Sequence, residues 1–476
     1  MLTRSPQHKV TQKRMLLVLV AASMLALALV SGCEKDLGKM HANRLPETGL
    51  FLEGPLDTVQ YAVKLFWWGR DSDGNVIGFY YRWTCTDPAS LPDTNWVFTT
   101  ANSGEFILPV PSGYAVQTFW VKAVDNAGEE DPTPATLDFP LRNEMPSVTF
   151  NLGSLPDTTL PAATFAWTGT DPDGDNTIAY YVLWLTGKED SPVIVAGSDT
   201  TLGPDYIDSY GNKTLNVRAV DEAQGASPTI SHTWNVIAPV GDVLLVDDVP
   251  STVAGAPATD AFYRSLLDSL EGSGQYTVFD LGNASRVKSA REVSYVLPLF
   301  KEVTWYGDTR SSASSALTMG ETGISEFLDG GGKIYLEGVA LLGTGGSLSY
   351  SFAAQYLGID SLRTRYISQS IPKSTNFDFT NGWVIRGNSS LGLDSLKVVG
   401  IYSGCEIMHP SAQAEPLYYL PSGTVTGQTG DCYVGTLLRG GGFSSVCLTF
   451  PVRRCSGFGN ARQEVAKLLT LLGVGQ

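Results

Sequence analysis

Several short runs of the chain alternate apolar and polar residues with a period of two. Examples are AVKLFWW (62–68), VIGFYYRW (76–83), TFWVKAV (118–124), ATFAWTG (163–169) and TLNVRAV (214–220). Such alternation predicts half-buried strands, and the Gly, Pro, Asp and Asn clusters between the runs predict turns. Trp68 and Trp167 read as core positions of their strands. After APVGD the pattern changes. DVLLVDD (242–248) is a continuous apolar run, as in a parallel strand buried on both faces, and ATDAFYRSLLDSL follows with helical spacing at Phe262, Leu266, Leu267 and Leu270. YTVFDL, VTWYGD, the helical SSALTMGETGISEFLDGG and KIYLEG continue the alternation of strand and helix, which builds a parallel sheet with right-handed crossovers. Residues from about 362 to 430 read as an insertion of short strands and loops. SSVCLTFPV reads as a late strand and NARQEVAKLLTLLGV as a closing helix.

The strand runs repeat. Trp68, Asp71, Asp73, Gly74, Tyr80 and Tyr81 align with Trp167, Asp171, Asp173, Gly174, Tyr180 and Tyr181 at offsets of 99 or 100, and VKAVDNAGEEDPTP aligns with VRAVDEAQGASPT at 96. Two copies of one domain, 46–143 and 144–239, therefore precede an α/β domain at 240–476. About seven short strands per copy, with a turn every 8 to 12 residues, is the pattern of an Ig-like sandwich. The W-x-G-x-D-x-D-G and A-V-D-x-A runs resemble the fibronectin type III and related Ig-like modules of bacterial surface proteins, over roughly Pro46 to Ile237.

The N-terminus adds an address. Lys9, Lys13 and Arg14 precede the uncharged run MLLVLVAASMLALALV (15–30), which is shorter than the ~20 residues a spanning helix needs. The following Val-Ser-Gly-Cys resembles the lipobox of bacterial lipoproteins. That resemblance implies a signal peptide at 1–32, cleavage before Cys33, lipidation of Cys33 and a linker at 33–45. Lipid chains hold a protein to a bilayer at about 0.8 kcal/mol per buried methylene. Glu34 stands where enterobacterial sorting reads aspartate as inner-membrane retention, so the outer membrane is the expected address. No other stretch is long and apolar enough to span a membrane. The net charge of −16, without Lys/Arg clusters, argues against nucleic acid. The expected partners are the membrane through its anchor, and a glycan or an envelope protein.

Candidate chemistry is sparse. The order of elements in the third domain resembles the flavodoxin-like layout of class I glutamine amidotransferase-like domains, which implies a nucleophile on a sharp turn after GKIYLEG. The sequence there is VALLGTGG, with Val339 near the elbow and no Gly-x-Cys-x-Gly. SGCEIMH offers Cys405 and His409, which meet as a thiolate–imidazolium pair only if they share a helix face. The flanking residues read as strand, and Cys405 equally belongs with Cys432, Cys447 and Cys455 as disulfide candidates, since cysteines beyond the inner membrane are expected to pair. Asp247, Asp248, Asp308 and Glu337 end strands at the carboxyl rim, where open α/β sheets bind ligands. In the sandwiches, Asp71, Asp73 and Asp125, and likewise Asp171, Asp173 and Asp221, fall on loops at one end of the fold. They are calcium-ligand candidates, although Asp-Gly also makes a turn without metal and the full EF-hand spacing is missing.

Overall fold

The computed structural model describes residues 42–52, 59–60, 62–85, 95–282, 289–307, 315–342, 346–362, 376–426, 430–456 and 458–473. Cys33 with its leader, Asp308 and residues 363–375 of the expected insertion lie outside them. The chain divides into two compact units, Met1–Asn143 and Glu144–Gln476.

The first unit is a two-sheet sandwich. Strands Glu47–Leu52, Ala62–Arg70 and Ser103–Ile107 form one antiparallel sheet. Val97–Thr99, Val76–Cys85, Tyr114–Asp125 and Ala135–Arg142 form the other, with Val59–Gln60 added in parallel at its edge. The period-two pattern sends Val63, Leu65 and Trp67 inward against Phe119, Val121 and Phe139 of the facing sheet. Trp67 anchors this core. Its ring packs against Phe79 and Phe119, and its Nε1 donates to the Ala101 carbonyl at 2.9 Å.

The second unit opens with the same sandwich in the same strand order. Ser147–Phe150, Ala163–Thr170 and Asp199–Leu202 make the small sheet. Thr158–Thr159, Ile230–Val236, Gly211–Asp221, Ile178–Leu185 and Val193–Val195 make the large one. Both are immunoglobulin-like sandwiches of the fibronectin type III kind by strand order. The structure corrects one detail of the repeat. Trp67, not Trp68, is the counterpart of Trp167: both are buried, and Gly69 and Gly169 follow two residues later at the same offset of 100. Trp68 points outward and is 50 % exposed. In a doubled Trp-Trp, pleat parity lets only one face the core.

The rest of the second unit is a mixed sheet covered on both faces. Thr277–Asp280, Val243–Asp247, Glu302–Tyr306, Lys333–Glu337 and Phe443–Leu448 lie side by side in that order, all parallel. Cys432–Gly440, Ala414–Leu420, Val384–Gly387 and Leu396–Lys397 continue it antiparallel. Much of the expected insertion is thus an extension of the sheet. Helices Ala256–Leu270 and Phe458–Leu472 cover one face. Ala290–Val296, Ser315–Asp329 and Tyr350–Tyr356 cover the other.

The second sandwich is joined to this sheet's helices. Thr164 Oγ1 donates to Glu292 Oε2 at 2.9 Å, and the Thr201 and Ser289 hydroxyls lie 2.7 Å apart. The Tyr295 ring occupies the space over Gly203, where an added Cβ would lie 2.7 Å from it. Leu160 and Ala162 enter the same apolar cluster as Val293 and Val296.

The two neighbouring tryptophans should therefore differ sharply in denaturant titration. Trp67→Ala is expected to destabilise the first sandwich by about 3–5 kcal/mol, and Trp68→Ala by less than about 1 kcal/mol. Equal effects would contradict the assignment of inner and outer faces.

Candidate functional site

The carboxyl end of the parallel sheet gathers most of the polar chemistry. In register, Asp280, Asp247, Tyr306, Glu337 and Leu448 form one row across five strands. Pleating turns a row to one face, here toward the 256–270 helix. Tyr263 of that helix stacks on Tyr306 with ring centroids 4.0 Å apart and donates to Glu337 Oε1 at 2.6 Å. The Val452 N–H reaches the same oxygen at 3.1 Å, and the Tyr335 hydroxyl donates to Oε2. Glu337 is 2 % exposed, its carboxylate closed in by three donors. Burial and the adjoining Glu337 charge push both phenols well above their ordinary range.

Asp247, at the wetter end of the row, accepts from the Val249 N–H at 3.0 Å. Burial pushes its pKa up to about 6, with the Asp280 and Asp260 charges adding. Asp260 is itself paired with Arg264 at 2.6 Å. Asp248 turns to the opposite side, where Trp305 Nε1 donates to its Oδ2 at 3.1 Å. Of the four rim carboxyls, Asp247 and Glu337 share a face with Glu337 buried among its donors, Asp248 faces the opposite side, and Asp308 lies outside the described residues.

After Glu337 the chain makes the sharp turn at which a nucleophile was sought. The strained residue is Ala340, with φ of +50°, rather than Val339. A non-glycine residue held there marks an over-determined backbone, but a methyl group cannot attack. The next two amides are occupied. Glu406 accepts from Leu341 N at 3.0 Å through Oε2 and from Leu342 N at 2.8 Å through Oε1. Burial raises the Glu406 pKa to about 8, opposed by those two N–H groups. The Thr449 hydroxyl donates to the Glu406 carbonyl at 2.7 Å, fixing the strand that carries it. The sequence places Glu406 beside Cys405 without showing its partners. The available signal was a carboxyl in an otherwise uncharged strand, IYSGCEIM.

Cys405 is fully buried among apolar residues, opposite Phe377 in a two-stranded sheet. His409 belongs to the next strand, opposite Ser361. The strand geometry withholds the shared helix face that an ion pair would need. Cys405, Cys432, Cys447 and Cys455 are all buried thiols, so the expected disulfides do not form in this structure. The physical reason is partly the sheet itself: Cys447 packs on one face and the other three on the opposite face. Burial pushes the Cys447 and Cys455 thiols far above their ordinary range.

The aspartates of the sandwich loops are engaged with their own chain. Asp71 Oδ1 accepts from Asp73 N, and Asp171 Oδ1 from Asp173 N. Asp73 accepts from the Arg44 N–H and Asp173 from the Glu144 N–H. Asp125 accepts from Ala127 N, Glu129 N and Asn43 Nδ2. The Asn43 amide, then those backbone N–H groups, holds its carboxyl below the usual range. Asp221 accepts from Gly225 N at 2.7 Å. These N–H contacts close the loops. Among the described residues, Asp71 Oδ2 is buried without a hydrogen-bond partner, and no group of three His, Cys, Asp or Glu side chains is placed to hold a metal ion.

Neither a protein-family model nor a curated relative matches the chain. Among solved structures, it is similar to the fibronectin(III)-like modules of Clostridium thermocellum CbhA, at 13% identity over 40% of this chain and 95% of that one, with a TM-score of 0.21. It is also similar to a two-domain fibronectin type III segment of chicken tenascin, at 17% identity over 40% and 99%, TM-score 0.17. The PKD1 domain of Vibrio anguillarum Epp aligns at 16% identity over 21% and 98%, TM-score 0.15. At such scores the assignment of the sandwiches stands on their own strand order.

Glu406 has a measurable signature. Its folded pKa of about 8 lies above the ordinary 4.5, so the folded state binds more protons between those values. Stability should fall as pH rises from about 4.5 to 8, by up to about 1.4 kcal/mol per pH unit, and level off above. Glu406→Gln is expected to flatten this slope in urea titrations of the second unit. A slope unchanged by the substitution would contradict a protonated, buried Glu406.

Proposed function

We propose that this protein is a lipid-anchored cell-envelope lipoprotein that works by binding or scaffolding rather than by catalysis. The observation that carries the non-catalytic reading is the elbow. Ala340 occupies the strained turn, and the Glu406 carboxyl fills the two amides that would otherwise face a substrate oxygen. Counted among the parallel strands alone, the order second-first-third-fourth-fifth supports a flavodoxin-like ancestry of the amidotransferase-like kind. The reading as an unusual hydrolase using Cys405 and His409 loses its footing in the burial of Cys405.

The anchor reading rests on the basic and apolar leader and on Val-Ser-Gly-Cys before Glu34. On this reading the chain belongs at the outer membrane, with two sandwiches preceding the α/β domain in the chain. Radiolabelled palmitate should enter the wild-type chain in a bacterial host and be lost in Cys33→Ala, with the protein shifting from the membrane to the soluble fraction. Hydrolysis of p-nitrophenyl acetate and of glutamine should stay at buffer rates for wild type and Cys405→Ala alike. A wild-type rate that Cys405→Ala abolishes would overturn the non-catalytic reading.

A further inference from the structure

The outer face of the first sandwich's large sheet carries a contiguous set of aromatic and basic side chains. Strand register puts Tyr80 between Phe98 and Lys122, and Arg82 beside Trp120. Trp96, two residues before Phe98, extends the row of Arg82. The Arg82 guanidinium carbon lies 4.9 Å from the centre of the Trp96 ring and 5.2 Å from that of Trp120. Lys122 Nζ stands 4.4 Å from the Trp96 ring centre and is ion-paired with Glu130. Phe98 meets Tyr80 edge-on at 5.3 Å and is 46 % exposed.

Arg82 differs from Lys122 in having no counter-ion. Among the described residues no carboxylate pairs with it, and its Nε is buried without an acceptor. A buried donor left unpaired costs about 1–3 kcal/mol, and more where the group is charged. The sandwich fold does not require this arrangement. With VKAVD matched to VRAVD, Lys122 corresponds to Arg218, and register then sets Trp184 and Asn216 against Arg82 and Trp120. Val182 and Ile194 likewise stand for Tyr80 and Phe98. A guanidinium held between two indoles belongs to the first copy alone.

An uncompensated guanidinium calls for an anion, and its planar fork suits a carboxylate. The rings beside it offer apolar faces that stack on the C–H side of a sugar ring, and the next row of the sheet, Thr84 and Thr118, adds hydroxyls. The row from Trp96 through Arg82 to Trp120 spans two strand spacings, about 10 Å. This handful of side chains is far smaller than the ~20–30 residues a side of a stable protein interface, and so suits a ligand of a few sugar rings. We propose that this face binds an acidic polysaccharide, with a uronic-acid carboxylate seated on Arg82 and the neighbouring rings of the ligand on Trp96, Phe98 and Trp120. This deepens the binding-module reading and rests on it. The Cys33 labelling experiment tests the anchor separately.

Isothermal titration calorimetry of the full-length chain in detergent, with trigalacturonate as the probe, reads the site directly. The expected result is one site per chain that weakens with added salt and binds the probe at least about tenfold more tightly than neutral maltotriose. Arg82→Met, which keeps an apolar stem between the indoles, should lower the affinity about tenfold or more, and Arg82→Lys should fall between, because an ammonium lacks the fork. Trp96→Ala should weaken binding as well, while Arg218→Met on the second sandwich should leave it unchanged. Melting curves matching the parent's show that each variant is folded, and the two Arg82 variants carry the test if Trp96→Ala does not fold. No binding of trigalacturonate, equal binding of maltotriose or of tripolyphosphate, or full affinity in Arg82→Met would each overturn the proposal. A chain that takes palmitate at Cys33 but binds no trigalacturonate loses this site and keeps its reading as an anchored binding module.

Discussion

A β-sheet holds together in water only when its apolar faces are covered, and this requirement organises the whole chain. Each sandwich satisfies it by closing two sheets on one another around a tryptophan, Trp67 in one and Trp167 in the other. The parallel sheet cannot do so by pairing, because VLLV (243–246) is buried on both faces. It needs helices on each side, and the chain supplies two against one face and three against the other. The cover on the second face does not end with the helices. Leu160 and Ala162 of the second sandwich lie in that same cluster, so the sandwich becomes part of the core beneath the parallel sheet's helices. Burial of apolar area at roughly 25 cal/mol per Å² is what welds the two into one unit.

The same closure drives carboxyl groups indoors, and their partners explain the local architecture. A buried charge without compensation costs several kcal/mol. Glu337 meets this with two tyrosine hydroxyls and the Val452 amide. Asp248 uses the Trp305 indole. Glu406 uses two successive amides and a raised pKa, which keeps it largely protonated at neutral pH. These contacts hold the strained Ala340 turn in place, together with the Ser347 N–H on the Ala340 carbonyl at 3.0 Å. The turn is fixed because the fold around it satisfies its amides and carbonyls.

Local patterns made much of this legible from the sequence, and long-range ones did not. Alternation and Asp-Gly turns are short-range signals, so the duplicated sandwich and the change to a parallel sheet could be read directly. The choice between Trp67 and Trp68 depends on which side of the pleat faces the other sheet, a matter of register rather than composition. The role of Glu406 depends on a loop 65 residues earlier. The thiols were read as a disulfide set because they cluster in sequence, yet the sheet separates Cys447 from the other three. The aspartate triplets were visible as carboxyls in sequence, whereas the N–H groups that close their loops are set by backbone geometry.

The two sandwiches show which parts of a duplicated domain folding constrains. Inward positions of the central small-sheet strand keep one character in both copies: Val63, Leu65 and Trp67 against Ala163, Phe165 and Trp167. Outward positions diverge completely, with Lys64, Phe66 and Trp68 against Thr164, Ala166 and Thr168. In the second copy the Thr164 end of the face is packed, with Tyr295 taking the space over Gly203, while Thr168 is exposed. In the first copy the Trp68 indole lies over Gly49 of the paired strand. An indole half exposed to water adds little to the stability of its own domain, and an open apolar patch on a sheet invites aggregation. Folding alone would favour polar residues at these positions, as it tolerates Thr168 at the equivalent of Trp68. The aromatic face of the first copy is thus a difference between the two sandwiches in their outward positions, built on Trp68 over Gly49 and Phe51 against Phe66.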